Sequence, residues 1–414
     1  MKLWVRIFSL VLAMCLFTTY ALADDMFEMS SIVTEHYTED ILGNFEEEAG
    51  SNSVDAGVAA DFSSIKAKSL ILMDQDSGTV MYETNADERL APASITKIMS
   101  LLLFMEALDE GKLRLDSQVS CSEHAASMGG SQIWLEPNET MAVHELLKAV
   151  AIGSANDATV ALAEAIAGSE ENFVGMMNEK AKELGMVNTN FANCSGLDAE
   201  NHYTSARDIA LMSQALMKHH EIYDYTTVWM DTLRNGATQL VNTNKLVRFY
   251  DGATGLKTGT TDDAGCCLSA TATRDGLNLI AVVLGCPSSN DRFSAAKALL
   301  NFGFANYCRV SVPIELDDKV MMPVKNGTEL EVKLKAKPTV ELLTEKTNKE
   351  KFSVKIQLPE SVTAPVMEGE VIGRADIMLG DEMVSSVDIT ASNDVAQMNL
   401  AKALSRMMKG LFSV

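Results

Sequence analysis

Three short groups of residues in this chain carry the chemistry of an activated alcohol. Ser94-Ile95-Thr96-Lys97 stands at the head of an apolar run, Ser154-Ala155-Asn156 follows, and Lys257-Thr258-Gly259 comes third. A hydroxyl three residues before a lysine lies on the same helical face as that lysine. An uncharged amine there can take the serine proton, which makes a nucleophile without a histidine. A serine three residues before a lysine means little alone, since ordinary usage supplies on the order of one or two copies in a chain this long. Residues 63–66 and 294–297 are such copies. Context separates Ser94. Pro92 precedes it, and Ile98, Met99, Leu101, Leu102, Leu103, Phe104 and Met105 follow, too apolar for a surface helix. Ser94 then sits near the N-terminus of a buried helix, beside the positive end of its dipole. The plainer readings are helix caps for Ser94 and for Ser154, the latter on a helix over 157–167. For Lys257-Thr258-Gly259 the plain reading is a turn entering a strand, among Gly252, Gly255 and Gly265. Three motifs in one order, each at an element boundary, favour the chemical reading.

This set is the signature of the penicillin-interacting serine acyl-enzymes. Ala91-Pro92-Ala93 leads into Ser94, and Ile152-Gly153 and Asp157-Ala158 flank the second motif. Gly196-Leu197-Asp198 is followed by His202-Tyr203-Thr204-Ser205-Ala206-Arg207-Asp208, and Gly255-Leu256 leads into the third motif with Ala264-Gly265 soon after. On these residues the chain resembles the low-molecular-weight penicillin-binding proteins, the exported serine-type D-alanyl-D-alanine carboxypeptidases, well over 65–305 and in outline beyond. Three positions depart from the pattern. Ala155 stands where glycine is usual, Thr260 where some members have histidine, and Ser195 where some place a histidine that assists deacylation.

The resemblance implies an α+β fold: a serine β-lactamase/transpeptidase-like domain, its antiparallel sheet flanked by helices, then a small β-rich domain and a C-terminal amphipathic helix. It implies removal of the terminal D-alanine from peptidoglycan pentapeptide stems through an acyl-enzyme, with β-lactams as covalent inhibitors. Ser94 would be the nucleophile and Lys97 the base, its pKa lowered by burial and by the charge of Lys257. Ser154 would relay a proton to the leaving amine, and the Asn156 amide would hold Lys97 and a substrate carbonyl. Lys257, Thr258, Gly259 and Thr260 would bind substrate, the Ser94 and Thr260 N–H groups forming the oxyanion hole. Arg292 joins Lys257 and Thr258 at the terminal carboxylate, on its distance past the third motif and on arginine's fit to carboxylates. No cofactor or metal is needed. Two rivals share the motifs. A class A-like β-lactamase uses a glutamate to activate the deacylating water, and here residues 189–195 hold no acid. A non-catalytic penicillin-binding sensor or wall-binding protein would acylate and stop.

The elements that must position these residues follow from the rest of the chain. Its 414 residues, 47% hydrophobic and 22% charged, are ample for two domains. Residues 1–23 read as a signal peptide: Lys2 and Arg6, an apolar run to Phe17, and an Ala21-Leu22-Ala23 cleavage site. Residues 24–60 hold ten acids and no Lys or Arg, an acidic, disordered leader. The expected location is extracytoplasmic, at the cell wall. A net charge of −23 argues against nucleic acid. Cys121, Cys194, Cys266, Cys267, Cys286 and Cys308 show no spaced framework and read as free thiols.

The catalytic domain is expected over 61–306. It should open with a hairpin at 66–73 and 79–83 and end with a second at 265–273 and 277–285, around a mainly helical middle. Short β-rich segments at 310–316, 330–334, 352–358 and 383–389 make a β-domain over 307–392. Residues 393–414 form the amphipathic helix, with Leu400, Leu404, Met407, Met408, Leu411 and Phe412 on one face and Lys402, Arg406 and Lys409 on the other. Two readings of it stay open: a membrane-surface helix on the outer face of the cytoplasmic membrane, or a helix docked on the β-domain.

Overall fold

A computed structural model describes residues 62–316 and 320–404. The signal segment, the whole acidic leader and the last ten residues lie outside the described residues. Segments that are far apart in sequence meet in one sheet. β1 (Ser69–Asp74) and β2 (Val80–Thr84) form the first hairpin; β3 (Ala253–Thr261), β4 (Gly265–Arg274) and β5 (Leu277–Cys286) form the rest. The spatial order is β2-β1-β5-β4-β3, antiparallel throughout, with Ser69 opposite Leu284 and Lys257 opposite Ser269. Both expected hairpins are present. The third motif, whose plain reading was a turn entering a strand, lies inside β3.

Between the two halves of the sheet the chain is mainly helical. α1 (Lys97–Asp109) follows a 3₁₀ turn over Ala93–Thr96 and is buried from Lys97 to Met105. That matches the run from Ile98 to Met105, apolar but for Ser100, which has no polar face to offer water. α2 (Val143–Ala151), α3 (Asn156–Ala167), α4 (Glu170–Glu183) and α5 (Ala206–Leu216) pack with it into one core. α6 (Ser289–Asn306) follows β5, capped by the Ser288 hydroxyl accepting from the Asp291 N–H.

Past α6 the chain is β-rich. β6 (Tyr307–Pro313) pairs with β9 (Thr339–Glu345). β7 (Met321–Lys325), β8 (Glu331–Lys335), β10 (Phe352–Gln357), β11 (Val362–Thr363), β12 (Val371–Leu379) and β13 (Glu382–Ala391) form a sheet of order β10-β12-β13-β8-β7-β11. Two small apolar clusters fill it, around Val332 and Val395 and around Ala375, Ile377 and Ile389. Four strands were not expected from sequence: β7, β9, β11 and β12. Of the C-terminal helix, residues 400–404 are helical, with Leu400 and Leu404 exposed.

Candidate active site

The turn bearing Ser94 is assembled by backbones in close contact. Gly259 of β3 lies against it so closely that a Cβ there would stand 2.9 Å from the Ser94 nitrogen and 3.0 Å from that of Ile95. From the other side Gly196, at φ +89, approaches the Ala93 carbonyl; a Cβ would fall 1.9 Å from that oxygen. Only glycine fits either place. The glycine of Lys-Thr-Gly is thus required for the third motif to touch the first.

Lys97, the first residue of α1, is 0% exposed, and its Nζ stands 3.1 Å from Ser94 Oγ. The same nitrogen donates to Asn156 Oδ1 at 2.5 Å and to the Ser195 carbonyl at 2.6 Å. Burial lowers its pKa from 10.5 to about 7. A neutral amine has two N–H groups and one lone pair. Two oxygens that can only accept take the N–H groups, so the lone pair is left for the Ser94 hydroxyl proton.

Asn156 begins α3 and fixes its own amide: Oδ1 faces the amine, Nδ2 donates to the Gly129 carbonyl at 2.7 Å, and its N–H donates to the Ser131 carbonyl. One Nδ2 hydrogen is therefore already committed, leaving the other for a substrate carbonyl. Ser154 is not a cap. The cap position of α3 is Ala155, with no side-chain bond, and Ser154 adopts φ 62. Such backbone is uncommon for a residue with a side chain and costs about 1–3 kcal/mol. It presents the hydroxyl to Lys257, whose Nζ lies 2.8 Å from Ser154 Oγ and 3.1 Å from the Thr258 carbonyl. Lys257 is buried too, and burial, then Lys97, then Arg292 push its pKa well down. Thr258 Oγ1 donates to Thr243 Oγ1 at 2.7 Å, and Thr260 is exposed near the end of the strand.

Arg292, on α6, reaches β3 from behind. Its Nη1 donates to Thr260 Oγ1 at 2.9 Å and to the Gly259 carbonyl at 3.1 Å, its Nη2 donates to Ser289 Oγ, and the residue is 8% exposed. The guanidinium expected at a substrate carboxylate instead braces the strand that carries Thr260.

Several participants escape a reading of side-chain motifs. The Ser195 carbonyl and the Gly129 carbonyl are backbone groups and have no letter in the sequence. Asp157 is fully buried and accepts from the N–H groups of Ile133 and Leu135, tying the loop before α2 to the start of α3. His202 accepts the Ala192 N–H at Nδ1, which leaves the Nε2 proton to donate to Thr96 Oγ1 at 2.8 Å. Burial lowers it to about 4, so it is a neutral strut between the nucleophile turn and the 188–204 loop. Glu170, which reaches that loop, is engaged by the Cys194 N–H and by His124.

The comparisons with known proteins agree with this arrangement. The pattern of the D-alanyl-D-alanine carboxypeptidase family matches residues 55–288, and that of the penicillin-binding protein 5 C-terminal domain matches residues 313–397. The D-alanyl-D-alanine carboxypeptidase DacF of Bacillus subtilis is 42% identical over 83% of this chain and 89% of its own. The crystal structure of penicillin-binding protein 5 from Haemophilus influenzae superposes with a TM-score of 0.72 at 32% identity, covering 82% of this chain and 100% of that one. Penicillin-binding protein D2 from Listeria monocytogenes, in its ampicillin-bound form, has a TM-score of 0.54 at 32% identity over 58% of this chain and 98% of its own. With its three motifs gathered around one hydroxyl and the match spanning more than half its length, this chain belongs to the D-alanyl-D-alanine carboxypeptidase family.

Proposed function

We propose that the protein removes the terminal D-alanine from peptidoglycan pentapeptide stems, through an acyl-enzyme on Ser94 that β-lactams also form. The observation that carries this reading is the buried Lys97 amine, 3.1 Å from Ser94 Oγ with both its N–H groups held elsewhere. Lys97 takes the Ser94 proton as Oγ attacks the carbonyl between the two D-alanines. The oxyanion is received by the N–H groups of Ser94 and Thr260, each such donor being worth about 3–4 kcal/mol in the transition state. The Gly259 contact with the Ser94 nitrogen keeps these two amides neighbours. The tetrahedral adduct collapses with departure of D-alanine, whose amine takes, through Ser154, the proton that Lys97 received from Ser94, leaving Lys97 neutral again. Ser154 Oγ accepts from Lys257 and so keeps its own O–H free to donate. The D-alanine carboxylate meets Lys257 and Thr258, and its charge favours the ammonium form of a lysine that burial otherwise disfavours. Arg292 adds positive charge from behind the strand. Water then attacks the ester, Lys97 again serving as base, and the shortened peptide leaves.

The buried Asp157 and the half-buried Glu170 are already bonded to backbone N–H groups, Asp157 to Ile133 and Leu135, Glu170 to Cys194. This favours slow β-lactam release over the fast hydrolysis of a class A β-lactamase. The ampicillin-bound relative supports β-lactams as ligands. Labelled penicillin is expected to acylate the parent and leave Ser94→Ala unlabelled; an adduct on that variant overturns the assignment. D-alanine release from diacetyl-lysyl-D-alanyl-D-alanine is expected of the parent, and its absence would favour a sensor that acylates and stops.

The same proposal places the chain outside the cytoplasm, exported by residues 1–23, with the cationic amphipathic segment 393–414 against the outer face of the membrane. Removing residues 395–414 should then shift the protein from membrane to soluble fractions; unchanged fractionation would leave docking on the β-domain as the reading.

A further inference from the structure

The Lys97 lone pair faces Ser94 only because two acceptors hold the amine's N–H groups, and one of those acceptors is a backbone carbonyl on a short turn. The turn is closed by the side chain of Asn193. Its Oδ1 accepts from the Gly196 N–H at 2.7 Å, from the Ser195 N–H at 3.2 Å and from the Ser195 hydroxyl at 3.4 Å. Its Nδ2 donates to the Leu197 carbonyl at 2.8 Å. Each partner admits one orientation of the amide, since N–H groups lie on one side and a carbonyl on the other. The residue between is held as well: the Cys194 carbonyl accepts from Ser100 Oγ at 2.6 Å and its N–H donates to Glu170 Oε1 at 3.0 Å. Gly196 abuts Ala93, so the turn is stopped against the nucleophile's own backbone. Asn193 touches neither Ser94 nor Lys97. What it sets is the place of the Ser195 oxygen.

The geometry points to Asn193 as a positioning residue for the reaction, one that aims the Lys97 amine at Ser94 by fixing the Ser195 carbonyl. The inference rests on the reading of Lys97 as the base. Without the Asn193 side chain, two N–H groups and a carbonyl lose their partner, the turn opens, and the Ser195 oxygen no longer holds its N–H. The lone pair is then free to rotate away from the serine. Water admitted beside the amine also relaxes the burial that keeps it neutral.

The experiment is the pH dependence of acylation by labelled penicillin, measured as a second-order rate on the full chain. The parent should show an acidic limb near pH 7, where Lys97 loses its proton. Asn193→Ala should lower the alkaline plateau by about tenfold or more and move the limb up by about half a unit or more. The control is Asn178→Ala. Asn178 makes two bonds to Phe191 in the same loop, accepting its N–H at 2.8 Å and donating to its carbonyl at 2.9 Å, but none to the turn. It should melt earlier than the parent while keeping limb and plateau. Asn193→Asp keeps the oxygen that the two amides need and adds a negative charge near the ammonium. It should keep the plateau within about threefold and move the limb up. An Asn193→Ala protein with the parent's plateau and limb overturns the proposal, and so does an Asn178→Ala protein with the same shift. If Asn193→Ala does not fold, Asn193→Asp decides alone: a plateau more than tenfold below the parent's overturns the proposal. A parent without a limb near pH 7 overturns the base assignment and this inference with it, a result distinct from an unchanged Asn193→Ala.

Discussion

The cleft and the C-terminal sheet bury different things. Around Ser94 the interior holds Lys97, Lys257, Asp157, Asn156, Ser154, Thr96 and Ser100, all below one-tenth exposed. Beyond Tyr307, the polar residues buried among those described are Thr344 and Asp376, and Asp376 is satisfied by Gln357 and Ser386. Buried polar groups lower stability unless fully paired, and buried charges lower it more. The catalytic domain accepts that loss where it makes chemistry. The β-rich domain keeps few such groups among its described residues and is built on alternation, as in β8, whose Glu331, Lys333 and Lys335 face out while Val332 and Leu334 face in. A polar interior marks where function sits, and an apolar one marks scaffold.

Removing the buried amine of Lys97 should sharpen that contrast most. Lys97→Met keeps a similar length and an apolar body but deletes the base. Acylation is expected to fall by roughly 10³-fold or more, while the fold gains stability at neutral pH. The sign follows from proton counts. The folded protein releases the Lys97 proton near pH 7 and the unfolded chain only near 10.5, so between these values the unfolded state binds more protons. The parent's stability should therefore climb from pH 7 toward 10.5. At pH 7 or below, the full penalty is on the order of 4–5 kcal/mol. Melting curves of parent and Lys97→Met across that window should converge at high pH and separate at low pH. Parallel curves would mean that Lys97 is not buried as an unpaired base.

Gly196→Ala tests the contact between backbones and should rank second. The added Cβ would meet the Ala93 carbonyl at a positive φ of +89, so both clash and strain act. The expected outcome is a loss of stability above about 2 kcal/mol together with slower acylation, since the displaced neighbours are the nucleophile turn and the Ser195 carbonyl. Unchanged acylation in a folded Gly196→Ala would show that the turn tolerates displacement.

Where the sequence was readable follows the same division. Side chains that form a motif were readable: the helix starting at Lys97, the hairpins of β1–β2 and β4–β5, and the three motifs now found around one hydroxyl. Backbone participants were not, because Ser195 and Gly129 act through carbonyls that every residue has. Asn193 had a signal that went unused, an amide side chain two and three residues before the N–H groups it accepts. Two of the four strands missed in the β-domain carry interrupting residues. Pro323 argues against β7, and Gly373, Arg374 and Asp376 break the apolar pattern of β12. Pairing with neighbours on both sides overrides those local signals, and pairing is not written in any one segment.

The smallest effect on activity is expected in the other region. Ile377, fully buried in the second apolar cluster, can be cut to alanine at a cost of about 2–5 kcal/mol to its own domain, from lost transfer free energy and the cavity left behind. No residue of that cluster belongs to the cleft. The domains do touch: Arg309 of β6 pairs with the buried Asp74 at the end of β1 and with Asp76, and the Lys346 ammonium donates to the Phe304 carbonyl. Those contacts join the β-domain to the end of β1 and to the end of α6, not to Ser94. Ile377→Ala should therefore unfold the β-rich domain at lower temperature while kcat/KM for D-alanine release stays within about twofold of the parent below that transition. A larger fall in kcat/KM would show that the sheet beyond Tyr307 reaches the cleft through β1 or α6, and the division between scaffold and chemistry would have to be redrawn there.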